Sequence, residues 1–169
     1  MSGSRQRVAV LVDGDNANPA HLDAVMAEAA RFGVATVKRI YGDWAAGKLN
    51  GWTRGLHVHG AQAIQQHNPV SGKNATDGAL IIDAMDLLYA GHVDAFCIVA
   101  SDSDYAALAK RLRASGKPVY GIGEQKTPSA FVRACDEFSY VENLARTRAR
   151  SFGSMSREGR PPGGAARAR

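Results

Sequence analysis

The sequence predicts an α/β domain: a three-layer sandwich with a central parallel sheet of about five strands. Three observations carry that expectation. First, short and almost continuous apolar runs, residues 7–12 (RVAVLV) and 95–100 (AFCIVA), have the composition of strands buried on both faces. Second, these runs alternate with helical patterns, and a strand–helix–strand alternation calls for right-handed crossovers and parallel pairing. Third, 169 residues with 45% hydrophobic content suit one globular core and leave little for a second.

The elements follow in order. After the strand at 7–12 comes a polar turn, then Pro19 opens a helix to about Phe32, stopped by Gly33. Residues 34–41 are β-rich. Residues 42–60, with Trp44 and Trp52, read as irregular with room for one short helix. Residues 62–66 form a short strand, and 76–90 the strongest helix, ended by Gly91. Its inward stripe is Leu80, Ile81, Ala84 and Leu88. The strand at 95–100 precedes a helix over 103–115, and Gly116-Lys117-Pro118 turns into a strand at 119–122. A helix at 128–135 and a last short strand at 138–141 complete the domain.

The formal net charge of +5 is unevenly spread. Residues 146–169 hold seven arginines against the single acid Glu158, whereas residues 1–145 hold 14 basic and 15 acidic side chains. With Pro161, Pro162 and several glycines, 146–169 reads as a disordered arginine-rich tail attached to a domain spanning 1–145, either an electrostatic attachment to nucleic acid or a merely solubilising end. No apolar run approaches a membrane span, so no membrane partner is expected. The N-terminal stretch lacks the apolar centre of a secretion signal. Cys97 and Cys135 have no ligand-like spacing and read as buried thiols, so a cytoplasmic location is expected.

Open α/β sheets gather chemistry at the carboxyl ends of their strands. The first strand ends in Asp13-Gly14-Asp15-Asn16, the strand at 95–100 is followed by Ser101-Asp102-Ser103-Asp104, and the long helix opens with Asp77. A single Asp after a strand commonly caps the next helix. Acids from three separate segments are harder to explain that way, because clustered carboxylates repel unless a cation offsets them. An all-oxygen set suits Mg²⁺ or Mn²⁺, and the scattered histidines argue against zinc. No G-x-G-x-x-G follows the first strand, and neither a P-loop nor a G-x-S-x-G elbow is present. Metal-assisted phosphoryl or phosphodiester chemistry remains.

The stretches VLVDGDNA, GKNATDGALIIDAMDLL and IVASDSDY resemble the NYN domain, a branch of the PIN-like ribonuclease superfamily. RIYGDW, GEQKTP and FVRACDEF are similar to its bacterial limkain-type members, and together the resemblance covers about residues 7–143. It implies a PIN-like fold and a divalent-metal-dependent ribonuclease. Asp13, Asp77, Asp102 and Asp104 would be its catalytic, metal-holding acids. Asn16 matches the residue beside the first acid. Asp83 also matches, but six residues beyond Asp77 it is turned about 120° away on a helix, which leaves it a supporting role. Ser101 stands with the supporting residues.

Lys73, Lys126 and Arg39 are the candidate phosphate-binding bases for RNA, expected to be single-stranded. The two tryptophans are expected to pack a core edge rather than stack on bases. Two alternatives stand beside the nuclease: a non-catalytic RNA-binding module, and a phosphatase of the haloacid dehalogenase type with Asp13 as nucleophile. The second would want Thr or Val where Ala17 stands and leaves Asp77 unexplained.

Overall fold

A computed structural model describes residues 3–67 and 75–155, and the side chains of all of these except 75–77, 154 and 155. Six strands form one sheet: β1 (Arg7–Asp13), β2 (Val34–Gly42), β3 (Gln62–Gln65), β4 (Ala95–Val99), β5 (Val119–Gly123) and β6 (Glu137–Tyr140). Every pairing is parallel, in the order β3-β2-β1-β4-β5-β6. The expected α/β sandwich is therefore present, with six strands rather than about five. The strand expected last is real because Glu137–Tyr140 continues the β5 ladder, Gly121 pairing with Phe138.

The helices are α1 (Leu22–Phe32), α2 (Thr53–His59), α3 (Ala75–Ala90), α4 (Tyr105–Ala114), α5 (Ser129–Ala134) and α6 (Val141–Met155). Alternation along the strands sorts them into two layers. Ala9, Leu11, Phe96 and Ile98 point into one core with Leu80, Ala84 and Leu88 of α3 and Tyr105 and Leu112 of α4. Val8, Val10, Val12, Cys97 and Val99 point into the other, with Leu22 and Val25 of α1, Trp52 and Val141. Both cysteines are buried and free. Burial raises both thiols, Cys135 to about 12.

Two regions depart from expectation. Residues 42–60 hold two single-turn 3-10 helices, Trp44–Ala46 and Asn50–Trp52, as well as α2. Tryptophan is what organises them: the Trp52 indole, 3% exposed, donates to the Gly14 carbonyl at 3.1 Å, and that of Trp44 to the Ile40 carbonyl at 3.2 Å.

The second departure corrects the tail. The arginine-rich segment, expected to be disordered from residue 146, is helical as far as Met155, so α6 crosses the boundary drawn at 145. Val141 and Leu144 sit in the α1-side core and anchor the helix, and arginine is a good helix former once anchored. Averaging residues 146–155 with the Pro/Gly-rich end hides this in the composition. Residues 156–169 lie outside the described residues.

Candidate functional site

The strand order reverses direction at β1 and β4: the chain first builds β2 and β3 on one side of β1, then β4, β5 and β6 on the other. Crevices at such a switch point, at the carboxyl ends of the strands, are where open α/β sheets bind ligands. Asp13 is the last residue of β1, and the Asp102/Asp104 loop follows β4. Because Val12 pairs with Val99, Asp102 lies three residues beyond the last bridge, in the loop that follows the neighbouring strand. Asp13 continues the alternation of Ala9 and Leu11, and its register partner is Tyr41, which lies in that same core. It therefore faces the layer of α3 and α4. Helix α3 returns from β3 over this layer with its N-terminus at the carboxyl edge, so Asp77 lies in the first turn of the helix that faces Asp13. The Asp77 side chain and all of Lys73 lie outside the described residues.

Asp13 is 0% exposed, and the Asn16 amide donates to its Oδ2 at 3.0 Å. That contact is local: the backbone turns back after the strand, the Ala17 amide reaching the Asp13 carbonyl at 2.9 Å. The turn needs Gly14, whose amide donates to the Tyr41 carbonyl at 2.8 Å, since a Cβ there would meet that oxygen at 2.7 Å. Asp102 Oδ1 accepts the Asp104 amide at 3.0 Å, a small side-chain turn that opens α4. Asp104 stands exposed at the N-cap without a side-chain capping bond, so α4 does not need its carboxylate as a cap. Ser101 supports the loop from behind: its Oγ accepts the Glu124 amide at 2.9 Å. This ties the end of β4 to the end of β5, where Gly123 approaches so closely that a Cβ would meet the Ala100 carbonyl at 2.4 Å.

Asp83 has a different position from the one its helical angle suggested. Both its oxygens bind Arg39 Nη1 at 2.7 Å, and it accepts the Tyr41 hydroxyl. Burial, followed by the Asp83 carboxylate, pushes the Tyr41 phenol far up, so it stays a donor. Arg39 and Tyr41, two apart on β2, thus fasten α3 to the sheet beside Asp13. Arg39, expected among the phosphate-binding bases, is engaged with Asp83. Lys126 is 78% exposed at its side chain and pairs with Glu124 at 3.0 Å.

Sequence reading missed Tyr41 and the Gly123–Glu124 support. The available signals were an aromatic closing a strand and a glycine just past another. An apolar pocket lined by Val12, Leu22, Trp52, Val99, Ser101 and Val141 opens at the same edge, but on the α1 side, away from Asp13.

The sequence profile of the NYN domain matches residues 7–142. The chain belongs to the NYN domain family. NYN domains have a PIN-like nuclease fold, are generally nucleases and are generally associated with RNA. A solved protein of unknown function from Vibrio parahaemolyticus is 19% identical, with a TM-score of 0.66 over 85% of this chain and 98% of that one, a likeness of fold. The glycotransferase of kitacinnamycin aligns over 91% of this chain and 38% of its own at TM-score 0.35 and 13% identity, too low to bear on function. No curated protein matches the sequence.

The donor chemistry fits the hard divalent cation on which NYN nucleases typically depend. Asp13, Asp102 and Asp104 offer carboxylate oxygens, with no His or Cys among them. Among the described residues no three acids, histidines or cysteines form a metal-holding group, and the Asp77 side chain lies outside those residues. No helix among the described residues is long and apolar enough to cross a membrane.

Proposed function

We propose that this chain is a divalent-metal-dependent ribonuclease hydrolysing phosphodiester bonds in single-stranded RNA, acting in the cytoplasm. The observation that carries the reading is a buried aspartate, Asp13, ending the central strand of an NYN domain at its switch point, with Asp102 and Asp104 on the adjoining loop. Asp13, Asp77, Asp102 and Asp104 would hold Mg²⁺ or Mn²⁺. Bound there, the cation lowers the pKa of an attacking water and stabilises the leaving oxygen.

The chain's own residues have distinct tasks. Asn16 fixes the orientation of Asp13. The Asp102 turn and the Ser101 contact hold the second loop against β5. Asp83, through Arg39 and Tyr41, holds the helix that bears Asp77. Lys126, in the loop after β5, would contact phosphate, and Lys73, outside the described residues, remains a second candidate from the sequence. The phosphatase alternative loses its ground with membership of the NYN family.

The test is direct. Purified protein is incubated with labelled single-stranded RNA in chelator, Mg²⁺ or Mn²⁺, with a phosphatase substrate in parallel. Metal-dependent shortening of the RNA supports the proposal. Retarded but intact RNA in all three conditions would make the protein an RNA-binding module instead.

A further inference from the structure

Asp23, in the first turn of α1, gathers three basic groups from two other elements. His59 Nε2 lies 2.7 Å from its Oδ1, while Arg54 of α2 and Arg148 of α6 approach its Oδ2 at 3.7 and 3.9 Å. Both arginines make loose contacts and remain open to solvent, 74% and 44% exposed, so most of their donors are available. Two guanidiniums and an imidazole thus share one carboxylate. The other acid nearest on α6, Glu142, is turned to the Gln125 amide at 3.0 Å.

Placement makes this cluster relevant to the acid edge. Helix α1 begins at the carboxyl edge, and α6 begins where β6 ends on that same edge. Leu144 packs, partly buried, against the α1-side core, and Arg148, one turn further, lies on the same stripe at its rim. Arg146 and Arg150 face away and are exposed. A groove runs from Asn18, five residues past Asp13, along Pro19 and Asp23 to Arg54, with Gly51 and Gly55 on its other side. Those two glycines make the groove close-walled: a Cβ at 51 would meet Pro19 at 3.1 Å and one at 55 would meet Leu22 at 2.3 Å.

From this we infer that the groove is a backbone-binding track for single-stranded RNA, with Arg54 and Arg148 as its paired phosphate ligands and Asp23 holding them in place when RNA is absent. The inference rests on the nuclease reading for its substrate, and adds where the strand lies as it leaves the acids. Phosphate would displace the two loose contacts, since a guanidinium binds it in a bidentate manner. The contacts carry no base preference.

The test uses the full chain in chelator, so that binding is read without cleavage. Anisotropy of a fluorescein-labelled oligouridylate is titrated at several salt concentrations. Each single-strand phosphate contact contributes about 0.7 to the log–log salt slope, so Arg54→Ala with Arg148→Ala should flatten it by about 1.4 and weaken binding roughly tenfold or more at low salt. Replacing both by lysine should preserve most of the slope. Arg133→Ala, an exposed arginine on α5, should leave it nearly unchanged. Asp23→Asn should act oppositely and tighten binding. An unchanged slope in the double alanine variant, with its melting temperature intact, overturns the track even if the enzyme cleaves RNA. A flattened slope in a protein that never cleaves would keep the track and remove the nuclease.

Discussion

β1 and β4 lie side by side from Val8 and Ala95 to Val12 and Val99, yet their two ends treat carboxylates in opposite ways. At the amino edge, Asp94 accepts three hydrogen bonds from Arg7, through its backbone amide at 2.7 Å and its guanidinium at 3.1 and 3.2 Å. Asp136 nearby pairs with Arg113 at 3.1 Å. At the carboxyl edge, Asp13 is oriented by an amide and Asp102 by a backbone N–H, and among the described residues no salt bridge reaches Asp102 or Asp104. Asp94 and Asp136 at the amino edge are neutralised by arginine, whereas Asp102 at the carboxyl edge is positioned by a neutral backbone donor. The same residue type thus staples one end of the sheet and, on the proposed function, would hold a cation at the other.

The strongest way to break this contrast is to neutralise one acid at each edge. Asp13→Asn or Asp102→Asn should lower RNA cleavage at least a hundredfold, roughly 3 kcal/mol in the barrier, with the fold retained. Asp136→Asn should leave the rate close to wild type, because its amide oxygen still accepts the Val119 amide. Gel-based rates with matched circular dichroism check both. Equal cleavage by wild type and Asp13→Asn would mean a contaminating nuclease.

Between the two edges lies the Asp83 pair, and removing it should cost stability first. Asp83→Ala leaves a largely covered guanidinium without its counter-charge and the Tyr41 hydroxyl without its acceptor. The expected loss is about 2–3 kcal/mol, read as a fall of about 4–12 °C in melting temperature. Asp83→Asn keeps one acceptor and should fall less. A metal response that weakens in both variants would show that the pair also positions the site.

A third measurement concerns the metal. A ligand in hundredfold excess over its Kd stabilises the folded state by about 2.7 kcal/mol, so saturating Mn²⁺ should raise the melting temperature by roughly 5–10 °C. Asp102→Asn should shrink that rise while keeping the turn, since its side-chain oxygen can still accept the Asp104 amide. Asp102→Ala should also lose about 1 kcal/mol in chelator. An undiminished rise in Asp102→Asn would remove Asp102 from the metal set.

The smallest effect belongs to the amino edge. Hydrogen bonds from Arg7 hold the Asp94 carboxyl at about 2, below the ordinary carboxylate value. A depressed folded-state pKa stabilises above the unfolded value and is lost as pH falls through the folded one. Asp94→Asn should therefore melt slightly below wild type at neutral pH, and the two curves should converge as pH drops to about 2. The pair is well exposed, so the difference is modest.

Much of this was legible in the chain itself. The apolar runs and their helical interruptions dictate a parallel sheet, because strands buried on both faces and joined by crossovers have no other stable arrangement. The D-G-D-N and S-D-S-D ends then had to emerge at one edge, since parallel strands all finish on the same side. Trp52 was read correctly as a core residue, its long apolar body outweighing a possible stacking role. What tertiary structure alone decided depends on contacts far apart in sequence. Asp83 reaches Arg39 across 44 positions, and no helical angle could reveal that β2 supplies the partner. The length of α6 was equally hidden: arginines read as a solvated tail when counted, and as a helix once Val141 and Leu144 find the α1 core. Local pattern determines which elements form and which edge they end on. Which charges meet is set only when the layers close, because electrostatic partners are chosen by distance in space.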